Sequence, residues 1–221
     1  MKILIELSIL GALCAPAAAF AAVPGAALED LRGAAVSIAD VPAVPAAEAA
    51  GNAQGARHGE YFPLDGEKVS LVYEHTSGGS GRTGTIRVEL LNYSAKDNAV
   101  SLLKTVYEGG ASHNEIYGAY ADQHGVYSSN GLSGGKRMEF PLPAEAGRTW
   151  TRGSWQETIA SLSAAIKVPA GDFRGCLKVT TRNGGEIGAE RYYAPGVGLV
   201  YEKIFSGDSQ GTFKLVSYKV R

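Results

Sequence analysis

The chain has 221 residues, 45% hydrophobic and 19% charged, enough apolar material for a core and too much for a chain disordered throughout. Lys plus Arg total 21 against 22 Asp plus Glu, a formal net charge of -1. That balance excludes a dedicated nucleic-acid binder, which needs clustered basic surface, and two cysteines exclude a disulfide scaffold.

Residues 1–21 read as a secretory signal. Lys2 precedes an apolar run from Ile3 to Phe20, and Ala17-Ala18-Ala19 and Ala19-Phe20-Ala21 both fit a small-x-small cleavage site. Glu6 is atypical inside such a run. Cys14 follows Gly11-Ala12-Leu13, and the leucine beside it makes a poor lipidation site. Cleavage near Ala21 removes Cys14 and leaves Cys176 alone, so the mature domain is predicted to stand on its core rather than on a disulfide. The predicted location is outside the cytoplasm: periplasmic, associated with the outer membrane, or secreted. No transmembrane span is expected after signal cleavage. Residues 22–56 are rich in Ala, Pro and Gly. They read as a mostly disordered linker, with a short helix over 27–36 that Pro42 and Pro45 prevent from continuing.

Residues 57–221 carry the folded domain. From Glu60 the hydrophobic period is two. Val69, Leu71 and Tyr73 alternate with polar neighbours, as do Ile86, Val88 and Leu90 after the loop 77–84. Further short runs follow around 100–106, 116–120 and 125–128. The clearest pattern is Ala160, Leu162, Ala164, Ile166 and Val168 on one face, with Glu157, Ser161, Ser163 and Lys167 predicted on the solvent face. Strands around 176–181, 191–193, 199–205 and 213–220 complete an all-β, antiparallel meander of about ten strands, forming a partly open barrel or a two-layer sandwich. Phe62-Pro63-Leu64 and Phe140-Pro141-Leu142 each open a stretch of β pattern. This echo predicts two duplicated halves, 60–139 and 140–221, of about five strands each.

Several catalytic patterns fail on context. Gly131-Leu132-Ser133-Gly134-Gly135 matches a nucleophile elbow, but all four histidines (His58, His75, His113, His124) precede Ser133 and the flanks predict a hairpin loop. Gly79-Ser80-Gly81-Arg82-Thr83-Gly84 matches a dinucleotide fingerprint, yet a β-branched strand follows where a helix is required. Ser101-x-x-Lys104 falls in a strand, where positions three apart face opposite ways. His113 and Glu115 share a strand face, and a turn bringing Asp122 or His124 beside them would make a zinc-binding set. The plainer reading is a polar hairpin end. Cys176, in a strand-like run, reads as a buried small hydrophobe rather than a nucleophile. Eleven tyrosines suit half-buried strand surfaces, with a tyrosine-lined groove as the alternative.

Tyr61-Phe62-Pro63-Leu64, Val168-Pro169-Ala170-Gly171-Asp172-Phe173-Arg174-Gly175-Cys176 and Tyr193-Ala194-Pro195-Gly196-Val197-Gly198 resemble the motifs of a family of exported bacterial proteins, many of them lipoproteins, with no assigned activity. The resemblance spans about residues 60–221 and departs at Val69, where members usually carry Trp. It implies an antiparallel β domain akin to the unclosed barrels of periplasmic lipoprotein carriers, and supplies no catalytic residue. The physics of the motifs is structural. Pro169–Gly171 should end one strand, Phe173 should plug the core at the corner, and Gly196 and Gly198 should permit a bulge or sharp bend.

The functional expectation is a non-catalytic cell-envelope or secreted domain that binds a lipid or other apolar ligand, a glycan, or an envelope protein. The alternatives are a purely structural assembly module and a metal-dependent enzyme at His113/His124. No catalytic, cofactor-binding or metal residue is assigned, and no cofactor is expected.

Overall fold

The computed structural model describes residues 60–62, 69–78, 81–130, 136–205 and 210–220. The predicted signal, linker and Cys14, the Pro63-Leu64 opening and the 131–135 loop with Ser133 lie outside them. The described residues form twelve strands and no helix. The first half holds β1 (Val69–Ser77), β2 (Thr83–Ser94), β3 (Ala99–Glu108), β4 (Ala111–Ala121), β5 (Gly125–Asn130) and β6 (Lys136–Pro141). The second holds β7 (Thr149–Arg152), β8 (Trp155–Val168), β9 (Gly171–Asn183), β10 (Glu186–Ala194), β11 (Gly198–Ile204) and β12 (Gly211–Val220).

All twelve belong to one antiparallel sheet, ordered β6-β5-β4-β3-β2-β1-β12-β11-β10-β9-β8-β7. The first and last strands pair, so the meander curls into a nearly closed barrel with one unsealed seam, between β6 and β7. The sandwich alternative is thereby removed. The two strands beyond the predicted ten are β6 and β7. β6 buries Arg137 and Glu139, which disguises its inward face as a polar one, and β7 is only four residues long.

At the end of the barrel where β1 starts and β6 stops, the interior is apolar: Val69, Leu71, Val126, Phe140, Leu177 and Leu215 are buried. Tyr61 and Phe62 close it, Tyr61 meeting Phe140 edge-on at 6.5 Å. The Glu60 carbonyl accepts from Gly196 N–H at 2.5 Å, fixing this segment against the β10–β11 turn. That turn is a hairpin with a register shift at Tyr192/Tyr193. Gly196 (φ 69°) and Gly198 (φ 97°) occupy backbone conformations that L-residues resist. The predicted bulge is present, within a single sheet. Buried large side chains of this kind each contribute about 1.5–3 kcal/mol.

β8 corrects the predicted face assignment. Glu157 and Ile159 are fully buried while Ala160 is exposed. Irregularities at Ile159/Ser161, Ser161/Ala164 and Ala164/Ile166 interrupt the ladder to β9. A bulge shifts the phase, and one residue of shift exchanges the faces. The apolar set therefore turns inward only beyond Ser161, and there only partly. Phe173 is half-buried, 5.9 Å from the ring of exposed Tyr218, so it covers the barrel's end rather than plugging its core.

Candidate functional site

Two features stand out from the packed barrel: a buried ionic cluster behind the seam and a β arm with open edges. The cluster forms because β6, β8, β10 and β11 each turn charged side chains inward. Arg137 and Glu139 lie on β6, Arg152 on β7, Glu157 on β8, Arg191 on β10 and Glu202 on β11. Three positive and three negative groups balance. Arg191 Nε donates to Glu202 Oε1 at 2.8 Å, and its Nη1 lies 3.5 Å from Glu157 Oε1. The same Glu157 oxygen faces Arg152 Nη2 at 3.6 Å and Arg137 Nη2 at 3.8 Å. Glu139 accepts from Ser128 Oγ at 2.5 Å and from Tyr193 Oη at 2.9 Å.

These contacts cross the seam where no backbone ladder does. Tyr193–Glu139 joins β10 to β6, and Arg137–Glu157 joins β6 to β8. Burial pushes the Glu139 carboxyl up, but Arg137, Arg191 and the hydrogen bonds from Ser128 and Tyr193 more than reverse it, so it is held below the ordinary carboxylate range. Burial likewise depresses Arg191, and Glu202 and Glu157 overturn that to raise it. Burial, then Glu139, drives the Tyr193 phenol well up. Glu139 and Arg191 are thus held in their charged forms, and Tyr193 keeps the proton that it donates to Glu139.

Arg137 is the exception within it. Its side chain is 8% exposed, yet Nε, Nη1 and Nη2 make no hydrogen bond. Glu139 Oε1 stands 3.7 Å from Nε, beyond hydrogen-bond reach. Glu157 Oε2 and Trp150 Nε1 also lack hydrogen-bond partners.

The arm is the far part of the β8–β9 hairpin. β7 pairs β8 only over Trp155–Thr158, and β10 pairs β9 only up to Leu177. Among the described residues, no strand flanks Ala160–Val168 on the β7 side or Gly171–Cys176 on the β10 side. The arm passes the β10–β11 turn, and Ala170 N–H donates to the Leu215 carbonyl at 3.0 Å. That carbonyl is available because the β11–β12 ladder stops at Tyr201↔Lys214. The predicted turn at Pro169–Gly171 makes this contact. Cys176 is fully buried, and burial raises its thiol.

The four residues of the metal-binding alternative are not brought together. His113 and Glu115 do share a face, 3.6 Å apart, but Glu115 also pairs with the buried Lys104. Asp122 and His124 lie beyond the other end of β4, roughly 30 Å away at about 3.3 Å per residue. Asp122 instead caps its own turn, accepting from His124 N–H and Gly125 N–H. Among the described residues no group of three His, Cys, Asp or Glu is placed to hold a metal. Ser101 and Lys104 occupy β3 as expected. Residues 81–84 lead directly into β2, the hairpin closed by Ser77 N–H donating to the Arg82 carbonyl at 2.8 Å. A shallow depression of about 450 Å³ beside Thr83, Tyr107, Glu108 and Ser112 gathers no set of reactive groups. Sequence reasoning missed Arg137, Glu139, Glu157, Arg191 and Glu202. The available signal was charge alternating in step with the apolar face, as in Arg191 and Tyr193.

No family model matches the chain, and no curated protein does. Among solved structures, a candidate lipoprotein from Parabacteroides distasonis ATCC 8503 is similar at 14% identity and TM-score 0.48, over 72% of this chain and 98% of that one. A candidate exported protein with a YmcC-like fold from Bacteroides fragilis NCTC 9343 is similar at 15% identity and TM-score 0.47, over 72% and 99%. At these levels the likeness assigns no function.

Proposed function

We propose that the chain is an exported, non-catalytic domain of the cell envelope that binds an extended segment of another envelope protein. The observation carrying this reading is the edge of β8 from Ala160 to Val168, which no strand among the described residues pairs on the β7 side. An edge strand presents unpaired N–H and C=O groups, and an added strand is the partner that satisfies them. The side chains there suit the role: Ala160, Ser163 and Ala165 are exposed, and Lys167 is the single charge. A carrier of apolar ligands needs an apolar cavity, whereas the apolar end of this barrel is filled by Phe140, Tyr193, Tyr61 and Phe62. The signal-like residues 1–21 support export. Separation of His113 from His124 and burial of Cys176 support a non-catalytic role.

The test is photocrosslinking in the producing cell from a probe at Ser163, with a probe at Lys203 as control, alongside native mass spectrometry of the purified protein. One envelope protein should be captured from position 163 only. Ala165→Pro, which disrupts strand geometry along this stretch, should abolish capture while the protein still unfolds cooperatively. Equal capture at both positions, capture that survives Ala165→Pro, or a bound mass that organic solvent strips would overturn the reading.

A further inference from the structure

The seam offers a second site, independent of the arm. Buried polar groups are nearly always hydrogen-bonded, and a buried exception calls for a missing partner. Arg137 is such an exception. Its guanidinium carries five N–H donors, none used in a direct hydrogen bond among the described residues, behind a side chain only 8% exposed. Trp150 Nε1, on β7, adds another unused donor. Glu157 Oε2, an acceptor beside them, likewise makes no hydrogen bond.

The surrounding carboxylates face Arg137 only at ion-pair distance, Glu139 at 3.7 Å and Glu157 at 3.8 Å, and take their hydrogen bonds from other groups. Glu139 is occupied by Ser128 and Tyr193, Glu202 accepts from Arg191, and Glu157 Oε1 is shared by three guanidinium groups. Donors thus outnumber acceptors on the seam side, and the guest that matches them is rich in acceptor oxygens. Arg152, 27% exposed and set against the same Glu157 oxygen, stands at the opening. β6 and β7 share no ladder, so no backbone hydrogen bonds between these two strands close the way to the cluster.

We propose that the seam between β6 and β7 binds an oxyanion group, a carboxylate or phosphate, on the Arg137 guanidinium, with Arg152 at the mouth and the Trp150 indole N–H beside it. Arginine suits this task because its planar fork matches both oxyanions bidentately.

The test is thermal unfolding of the protein in chloride buffer against titrations of inorganic phosphate and of acetate, at matched ionic strength. One of the two should raise the melting temperature saturably, by roughly 3–5 °C at about ten times its dissociation constant. Which one does so separates a phosphate from a carboxylate guest. Arg137→Lys should weaken the midpoint about tenfold or more. Arg152→Gln, at a partly exposed position, should weaken it by a smaller factor. Lys178→Met, on the outer surface, should leave it unchanged. No saturable rise with either anion, or an equal rise in the Arg137 and Arg152 variants, overturns the site.

Discussion

Where β1 meets β12, the register runs from Val69↔Val220 to Ser77↔Gly211 with one irregularity. Where β6 faces β7, no residues pair, and the halves are joined by Arg137, Glu139, Glu157 and Tyr193 from inside. The first junction depends on backbone groups that every residue carries. The second depends on particular side chains, each removable by one substitution. Backbone closure tolerates sequence change so long as the alternation persists. Side-chain closure concentrates its stability in a few charged groups whose desolvation is repaid only while each keeps its partners.

The sharpest way to break the side-chain junction is Arg191→Met. It leaves Glu202 and Glu157 buried beside one fewer cation, and a loss of about 3–5 kcal/mol is expected in denaturant unfolding. A change under about 1 kcal/mol would mean that the cluster does not close the barrel.

Glu139→Gln keeps the shape but removes the charge that Arg137 and Arg191 stabilise, and should cost about 1–3 kcal/mol. It also sharpens the pH behaviour. Because the folded Glu139 is held below its ordinary range, the unfolded chain binds its proton more readily. The wild type therefore has this stability in full above the ordinary carboxylate pKa and loses it as pH falls through the lower folded value. Unfolding followed from pH 7 down to acid should show a weaker dependence in the variant than in the wild type.

Gly196→Val and Gly198→Val lie away from both junctions and calibrate them. Each forces a β-branched residue to positive φ, with an expected loss of about 1–2 kcal/mol. Unchanged melting temperatures in both would contradict the turn geometry. The smallest effect is expected for Asp172→Ala. Its pair with Lys167 sits on the arm's tip with the two side chains 66% and 85% exposed. Exposed pairs of this kind are worth about 0–1 kcal/mol, so the melting curve should barely move.

Much of this architecture was legible in the chain. Val69-Leu71-Tyr73 and Ile86-Val88-Leu90 fixed strands and faces, because alternation at period two has one meaning when one side is wet. Pro169–Gly171 and Ala194–Gly198 marked their hairpins, since proline and positive-φ glycine act locally. Cys176 read correctly as buried. β6 was only partly visible and Glu157 was placed on the wrong face, for one shared reason. A charged residue at an inward position reads as outward unless its partner is known, and the partners of Glu157 lie on β6, β7 and β10. Whether Asp122 and His124 meet His113 was left open by the spacing, and the extended β4 strand turns their nearness in sequence into distance.

The sequence by itself determined the strand-rich pattern and the turns, both of which follow from local backbone preference and side-chain alternation. Tertiary structure alone decided that twelve strands close on each other at β1–β12 and stay unladdered at β6–β7. It also decided that six charges gather inside and that the β8–β9 arm keeps an open edge. Those features depend on register and on pairings between residues far apart in the chain, and a single bulge is enough to exchange which side chains meet.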